Sequence, residues 1–88
     1  MQPQKVIRFT ETEAKEKLGR RVHALVEFAG VPRGTLGEVV DIYEFAPGEF
    51  DVFIQWESPL RKRVRDRFAK GPYEDYLREE QDEFAYAS

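Results

Sequence analysis

Four arginines at alternate positions, Arg61, Arg63, Arg65 and Arg67, carry the clearest chemical pattern in this chain of 88 residues. On an extended strand, alternate residues lie about 6.6–6.8 Å apart and project from one face, so the four would make a cationic row about 20 Å long. Such a row suits the phosphates of an extended single strand or the carboxylates of an acidic protein. Phe53 falls on the outward face of its own predicted strand, and Tyr43 is near it in the pattern, so both rings are placed to stack bases beside the row. Against a phosphate track stands the formal net charge of −3, since nucleic-acid modules usually carry net positive charge. The segment Glu74 to Glu83 also has the charge to neutralise the row in cis. A solvated or internally neutralised face is therefore the plainest reading of the arginines, an acidic protein partner the next, and nucleic acid the third.

Other chemistry finds few residues to work with. There is no cysteine, which removes disulfides, thiolate metal sites and a cysteine nucleophile. His23 is the one histidine. It falls on an outward face with Leu25 and Glu27, and a general base needs both an orienting partner and a nucleophile to serve. The serines, Ser58 and Ser88, sit in loop or tail positions. None of the 17 carboxylates lies in an apolar context that would mark a raised pKa. Gly34-Thr35-Leu36-Gly37 follows a strand but leads into another strand, and it has neither G-K-[ST] nor G-x-G-x-x-G. Pro32, Gly34, Thr35 and Gly37 are accordingly read as a structural loop, with the glycines permitting backbone angles or a close strand approach. Catalytic residues, metal ligands and cofactors are not expected.

Several elements must position these residues. Thr10-Glu11-Thr12-Glu13 has the spacing of a capping box. Glu11 with Lys15 and Glu13 with Lys17 are i,i+4 pairs in the favourable order. A helix over about 11–18 follows, too short to hold itself in water, so Leu18 is expected to dock. In Arg21–Phe28 the period becomes two, with Val22, Ala24, Val26 and Phe28 on one face of a half-buried strand. A glycine-rich loop leads to a second β-rich run, Glu38–Phe45. Ala46-Pro47-Gly48-Glu49 then sets Pro and Gly at the centres of a turn into Phe50–Trp56, which predicts an antiparallel hairpin. Phe50, Val52, Ile54 and Trp56 alternate with Asp51, Phe53 and Gln55. Trp56 is read as a core residue.

Residues 57–70 fit two patterns. Ser58, Pro59 and the stripe Leu60, Val64, Phe68 suit a helix, whereas a strand puts Val64, Asp66 and Phe68 opposite the arginines. A short strand over about 63–68 is the reading adopted, because three strands close a barrel poorly. After Gly71-Pro72, taken as a break, Tyr73, Tyr76 and Leu77 predict a helix over about 72–80. That helix is expected to cover Phe53 with Tyr73 and Leu77.

An aromatic fraction of 14% and a hydrophobic fraction of 41% are enough for one modest core, and 35% charged residues favour solubility. The charge is blocked: +2 over residues 1–20, −5 over 21–60, +5 over 61–70 and −5 over 71–88. No apolar run approaches the roughly 20 residues that span a bilayer. The first residues lack a hydrophobic signal core, so a cytoplasmic location is expected. The chain is read as a single domain, 1–88. Its parts are an N-terminal arm and short helix (1–18), a barrel (19–70), and a C-terminal helix with an acidic tail (71–88).

The order of helix, G-x-x-V-x-A-L-V-x-F, the loop V-P-x-G-T-x-G-x-V-V, hairpin and F-D-V-x-I-x-W strand resembles a small SH3-like β-barrel. More narrowly, Val31-Pro32-Arg33-Gly34-Thr35-Leu36-Gly37-Glu38-Val39 and Phe68-Ala69-Lys70-Gly71-Pro72-Tyr73-Glu74-Asp75-Tyr76-Leu77 are similar to segments of short bacterial proteins of unassigned function. The resemblance covers about residues 19–78. It implies a mainly β fold, a barrel of four to five strands with Phe28, Val39, Val52, Ile54, Trp56, Val64 and Phe68 in the core, and no particular activity. A non-enzymatic interaction module that docks on a protein partner is the expected function. Single-stranded nucleic-acid binding along the arginine row, and an accessory subunit of a larger enzyme, are the alternatives.

Overall fold

The computed structural model describes residues 7–57 and 65–80. Arg61, Arg63 and Val64, together with the tail from residue 81 onward, lie outside the described residues. The chain runs α1 (Glu11–Lys17), β1 (Arg21–Ala24), β2 (Leu36–Ala46), β3 (Glu49–Trp56), β4 (Arg65–Phe68), α2 (Lys70–Tyr76) and β5 (Leu77–Glu79). The strands form one five-stranded sheet in the order β4-β3-β2-β1-β5, and each neighbouring pair is antiparallel. This is a mainly β fold. Among the described residues β4 and β5 are the two edges and do not pair with each other, so the ladder stays open where a closed barrel would join them.

The predicted capping box forms. Glu13 N–H donates to Thr10 Oγ1 at 3.1 Å and Thr10 N–H to Glu13 Oε1 at 2.9 Å. Leu18 does not dock: helical backbone ends at Lys17, and the extended Leu18 is 44% exposed. Ala14 is fully buried instead and lets α1 lie close on the sheet. Gly19 N–H then bonds Val39 C=O at 2.8 Å.

β1 is half as long as its alternation implies. Val22 and Ala24 are buried, but the chain bends from Leu25 onward, leaving Val26 exposed. Leu25 N–H turns to Tyr76 C=O at 2.7 Å, and Phe28 pairs with Val31 across a tight turn. Phe28 still packs against the core from the loop. The loop closes through Gly34 N–H to Ala24 C=O at 2.7 Å and Thr35 Oγ1 to Pro32 C=O at 2.6 Å. Gly34 sits at φ +87°, and a Cβ on Gly37 would come within 2.8 Å of both Ile54 Cγ2 and Trp56 Cε3. The first glycine thus supplies a left-handed angle, the second a close strand approach.

The β2–β3 hairpin forms about Pro47-Gly48, with register shifts between Val39 and Asp41 and between Glu44 and Ala46. Phe50, Val52, Ile54 and Trp56 all turn inward, joining Val22, Val39, Phe68, Tyr73 and Leu77 in one cluster. Full burial of a large apolar side chain contributes about 1.5–3 kcal/mol. The largest fully buried one is Phe9, which the sequence pattern did not single out. It is held by paired backbone bonds to Phe50, at 2.9 and 2.8 Å.

Residues 65–68 are a strand, as expected, with Trp56 Nε1 donating to Asp66 Oδ2 at 2.7 Å. Gly71-Pro72 is not a break. Pro72 lies in the first turn of α2, where the N–H it lacks would have had no helical acceptor. The helix ends at Tyr76, short of the predicted 80, because Leu77–Glu79 pair with Val22–Ala24. Tyr73 and Leu77 point into the core, so they do not cover Phe53.

Candidate functional site

Alternation along β3 places Asp51, Phe53 and Gln55 on the face opposite the core. The register sets Tyr43 beside Asp51 on one side, and Arg67 beside Phe53 and Arg65 beside Gln55 on the other. The irregularity between Glu44 and Ala46 adds Phe45 to this outer face. The Phe9–Phe50 bridge adds a further side chain: with Phe9 turned inward, Arg8 is turned outward, against Asp51.

These residues make one cluster. Asp51 is 2% exposed although it lies on the outer face. Arg8 Nε lies 3.2 Å from its Oδ1, and Arg67 Nε lies 3.6 Å from its Oδ2. The Arg8 guanidinium stacks 3.5 Å over the Phe45 ring, and that of Arg67 lies 4.4 Å over Tyr43. Tyr43 in turn meets Phe53 edge to face, with centroids 6.1 Å apart. Cation–π contacts of this kind fix a guanidinium plane at little entropic cost. Tyr43 and Phe45 nonetheless remain 41% and 48% exposed.

Of the predicted site residues, the structure brings Arg65, Arg67 and Phe53 onto one face, and Arg61 and Arg63 are not described. Arg65 has no ion pair among the described residues. The carboxylate beside Arg67 is Asp51, which it shares with Arg8. The described part of the acidic segment pairs elsewhere. Glu79 meets Lys17 and Arg20, and Glu80 lies 3.4 Å from His23. Arg8, Asp51 and Phe45 were missed. Alternation assigned Asp51 its face, but only the distant bridge at Phe9 says what covers it.

A second polar cluster ties α1 to β5. Lys17 Nζ and Tyr73 Oη both donate to Glu79 Oε2, at 2.6 and 2.8 Å, and Arg20 Nη1 donates to Oε1 at 3.2 Å. Burial alone would raise the Glu79 pKa, but the bonds from Lys17 and Tyr73 outweigh it and hold the carboxyl below its ordinary value. Burial, reinforced by the neighbouring carboxylate, pushes the Tyr73 hydroxyl far upward, so it stays a donor. On the same end of the sheet, Lys70 donates to Glu13 at 2.8 Å, a bond that lowers the Glu13 pKa.

Among the described residues no group of three or more His, Asp or Glu side chains could hold a metal ion. No helix there is long and apolar enough to cross a membrane. Comparison of the chain with family models, with curated proteins and with solved structures finds no match.

Proposed function

We propose that this protein is a non-enzymatic interaction module that docks on a protein partner through the outer face of β2, β3 and β4. The observation that carries the reading is the pairing of exposed Tyr43 and Phe45 with stacked arginines around a covered carboxylate. Aromatic residues and arginine are the types enriched where proteins meet, and exposed aromatic rings side by side are otherwise a liability. Arg65, Arg67 and Phe53 belong to this face, with Arg61 and Arg63 as further candidates in the same run. An SH3-like barrel is proposed as the fold. Its support is the run β1 to β4 in adjacent order with the last strand returning beside the first.

The test is affinity capture from native extract with the tagged full chain, in parallel with a Tyr43→Ser/Phe45→Ser variant of matched thermal stability. A partner retained by the wild type and lost by the variant is the expected result. The docking reading fails if the wild type instead binds a labelled single-stranded oligonucleotide with steep salt dependence. It fails also if wild type and variant retain the same proteins.

A further inference from the structure

Asp51 and Arg8 stand in an unusual relation. Oδ1 of the carboxylate and Nε of the guanidinium are both shielded from solvent and 3.2 Å apart, yet neither makes an aligned hydrogen bond. A buried charge left in that state is costly unless something else is gained. Here the ion contact sets the pose of the arginines. Both guanidiniums approach Asp51 through Nε, on the stem side of the fork, while a ring holds each plane from below. The paired terminal nitrogens, which match the two oxygens of a carboxylate, have no other acceptor among the described residues.

We propose that Arg8 and Arg67, braced by Asp51, form a clamp for a carboxylate on a short acidic segment of a partner protein, with Tyr43 and Phe45 receiving an apolar side chain next to it. The proposal rests on the docking function given above and names the chemistry of the partner. The cluster of Arg8, Arg67 and Asp51 carries one net positive charge, so the match at the guanidiniums is to a single anion. Asp41 and Glu49 on the same face confine that match to a small area. The surroundings favour a short anion over a long one. Asp41, paired with Phe53, is exposed on β2 on this face, and Glu49 borders the aromatic pair across the turn. A polyphosphate running along the sheet must pass these carboxylates. A segment with one or two acidic side chains stops short of them.

The experiment pans a random dodecapeptide phage library on the immobilised full chain. Enriched peptides are then synthesised and titrated against wild type, Arg67→Gln, Arg8→Gln and Tyr43→Ser/Phe45→Ser, each checked for an unchanged melting profile. The expected result is enrichment of peptides with Asp or Glu next to an aromatic or aliphatic residue, bound at least roughly tenfold more weakly by either arginine variant. Replacing the acidic residues of the peptide by their amides should cost a similar factor. Enriched peptides that need Tyr43 and Phe45 but are neutral or basic would overturn the clamp and leave the docking face standing. No peptide that distinguishes wild type from the double aromatic variant would overturn both. Oligo-dT bound more tightly than any peptide, and released by Arg67→Gln, would overturn both as well. Arg8→Gln guards the test against a folding defect peculiar to β4, because Arg8 lies outside the strands.

Discussion

Glu79 and Asp51 each sit between two basic side chains and beside aromatic rings, Glu79 on the edge strand β5 and Asp51 on the inner strand β3. Around Glu79 the polar groups are satisfied. An ammonium, a guanidinium and a phenol donate to its two oxygens at 2.6, 3.2 and 2.8 Å. Around Asp51 the charges are close but not aligned, and the rings above them face water. The difference separates two uses of the same residue types. Closed hydrogen bonding fastens one part of the chain to another, and the Glu79 cluster joins α1, α2 and β5. Open donors held in a fixed pose fasten nothing further within the chain, and they leave a surface prepared for something else.

That contrast can be broken by mutation, and the largest effect on folding belongs at Glu79. Glu79→Gln should lower the unfolding free energy by about 1–2 kcal/mol, the worth of charge-assisted bonds to a half-buried group after solvent screening, while partner capture by the outer face is unchanged. Urea denaturation read by Trp56 fluorescence measures it. Because the Glu79 pKa is lower in the folded chain than in the unfolded one, its contribution is fully present above its ordinary value of 4.5 and is lost as pH falls below that. Stability should therefore decline on the acid side, and Glu79→Gln should show a shallower decline.

Asp51→Asn should move stability by about 1 kcal/mol or less, since removing a buried charge that no aligned bond satisfies offsets the lost attraction to Arg8, and Arg67 keeps much of its solvent. It should still weaken docking by releasing the guanidiniums from their pose. If Asp51→Asn unfolds the protein, the two carboxylates do the same work and the comparison fails. Tyr43→Ser and Phe45→Ser should each change stability by about 0.5 kcal/mol or less, visible as nearly coincident melting curves, and abolish partner capture.

How much of this was legible beforehand depended on how local the cause was. The hairpin at residues 46–49 and the capping box at Thr10 are written in four adjacent residues each, and both formed. The strand at Arg65–Phe68 was the harder choice, because local signals fit a helix as well and only the need for a fourth strand spoke against it. Pairing with β3 fixes it in the fold. β5 was not legible. Tyr73 with Leu77 and Glu74 with Arg78 match helical spacing, and only pairing with β1 pulls Leu77–Glu79 out of the helix. On the outer face, Arg67 and Phe53 were found by counting alternate positions. Arg8 could not be found that way, because its place depends on a bridge to Phe50, far along the chain. The barrel-like order was suggested by the loop and hairpin, whereas closure depends on edges that no local pattern describes.

The placement of β5 also bears on how the protein is made. α1 and β1 leave the ribosome long before Leu77–Glu79, and Lys17 waits 62 residues for its carboxylate. The hairpin of β2 and β3 has all it needs at once, but β1 has one unpaired edge until Leu77–Glu79 have been made. A nascent chain halted within α2 therefore lacks more than one short strand. It holds a helix that lacks its Lys17–Glu79 bond and an open strand edge, the form most exposed to pairing with a neighbouring chain.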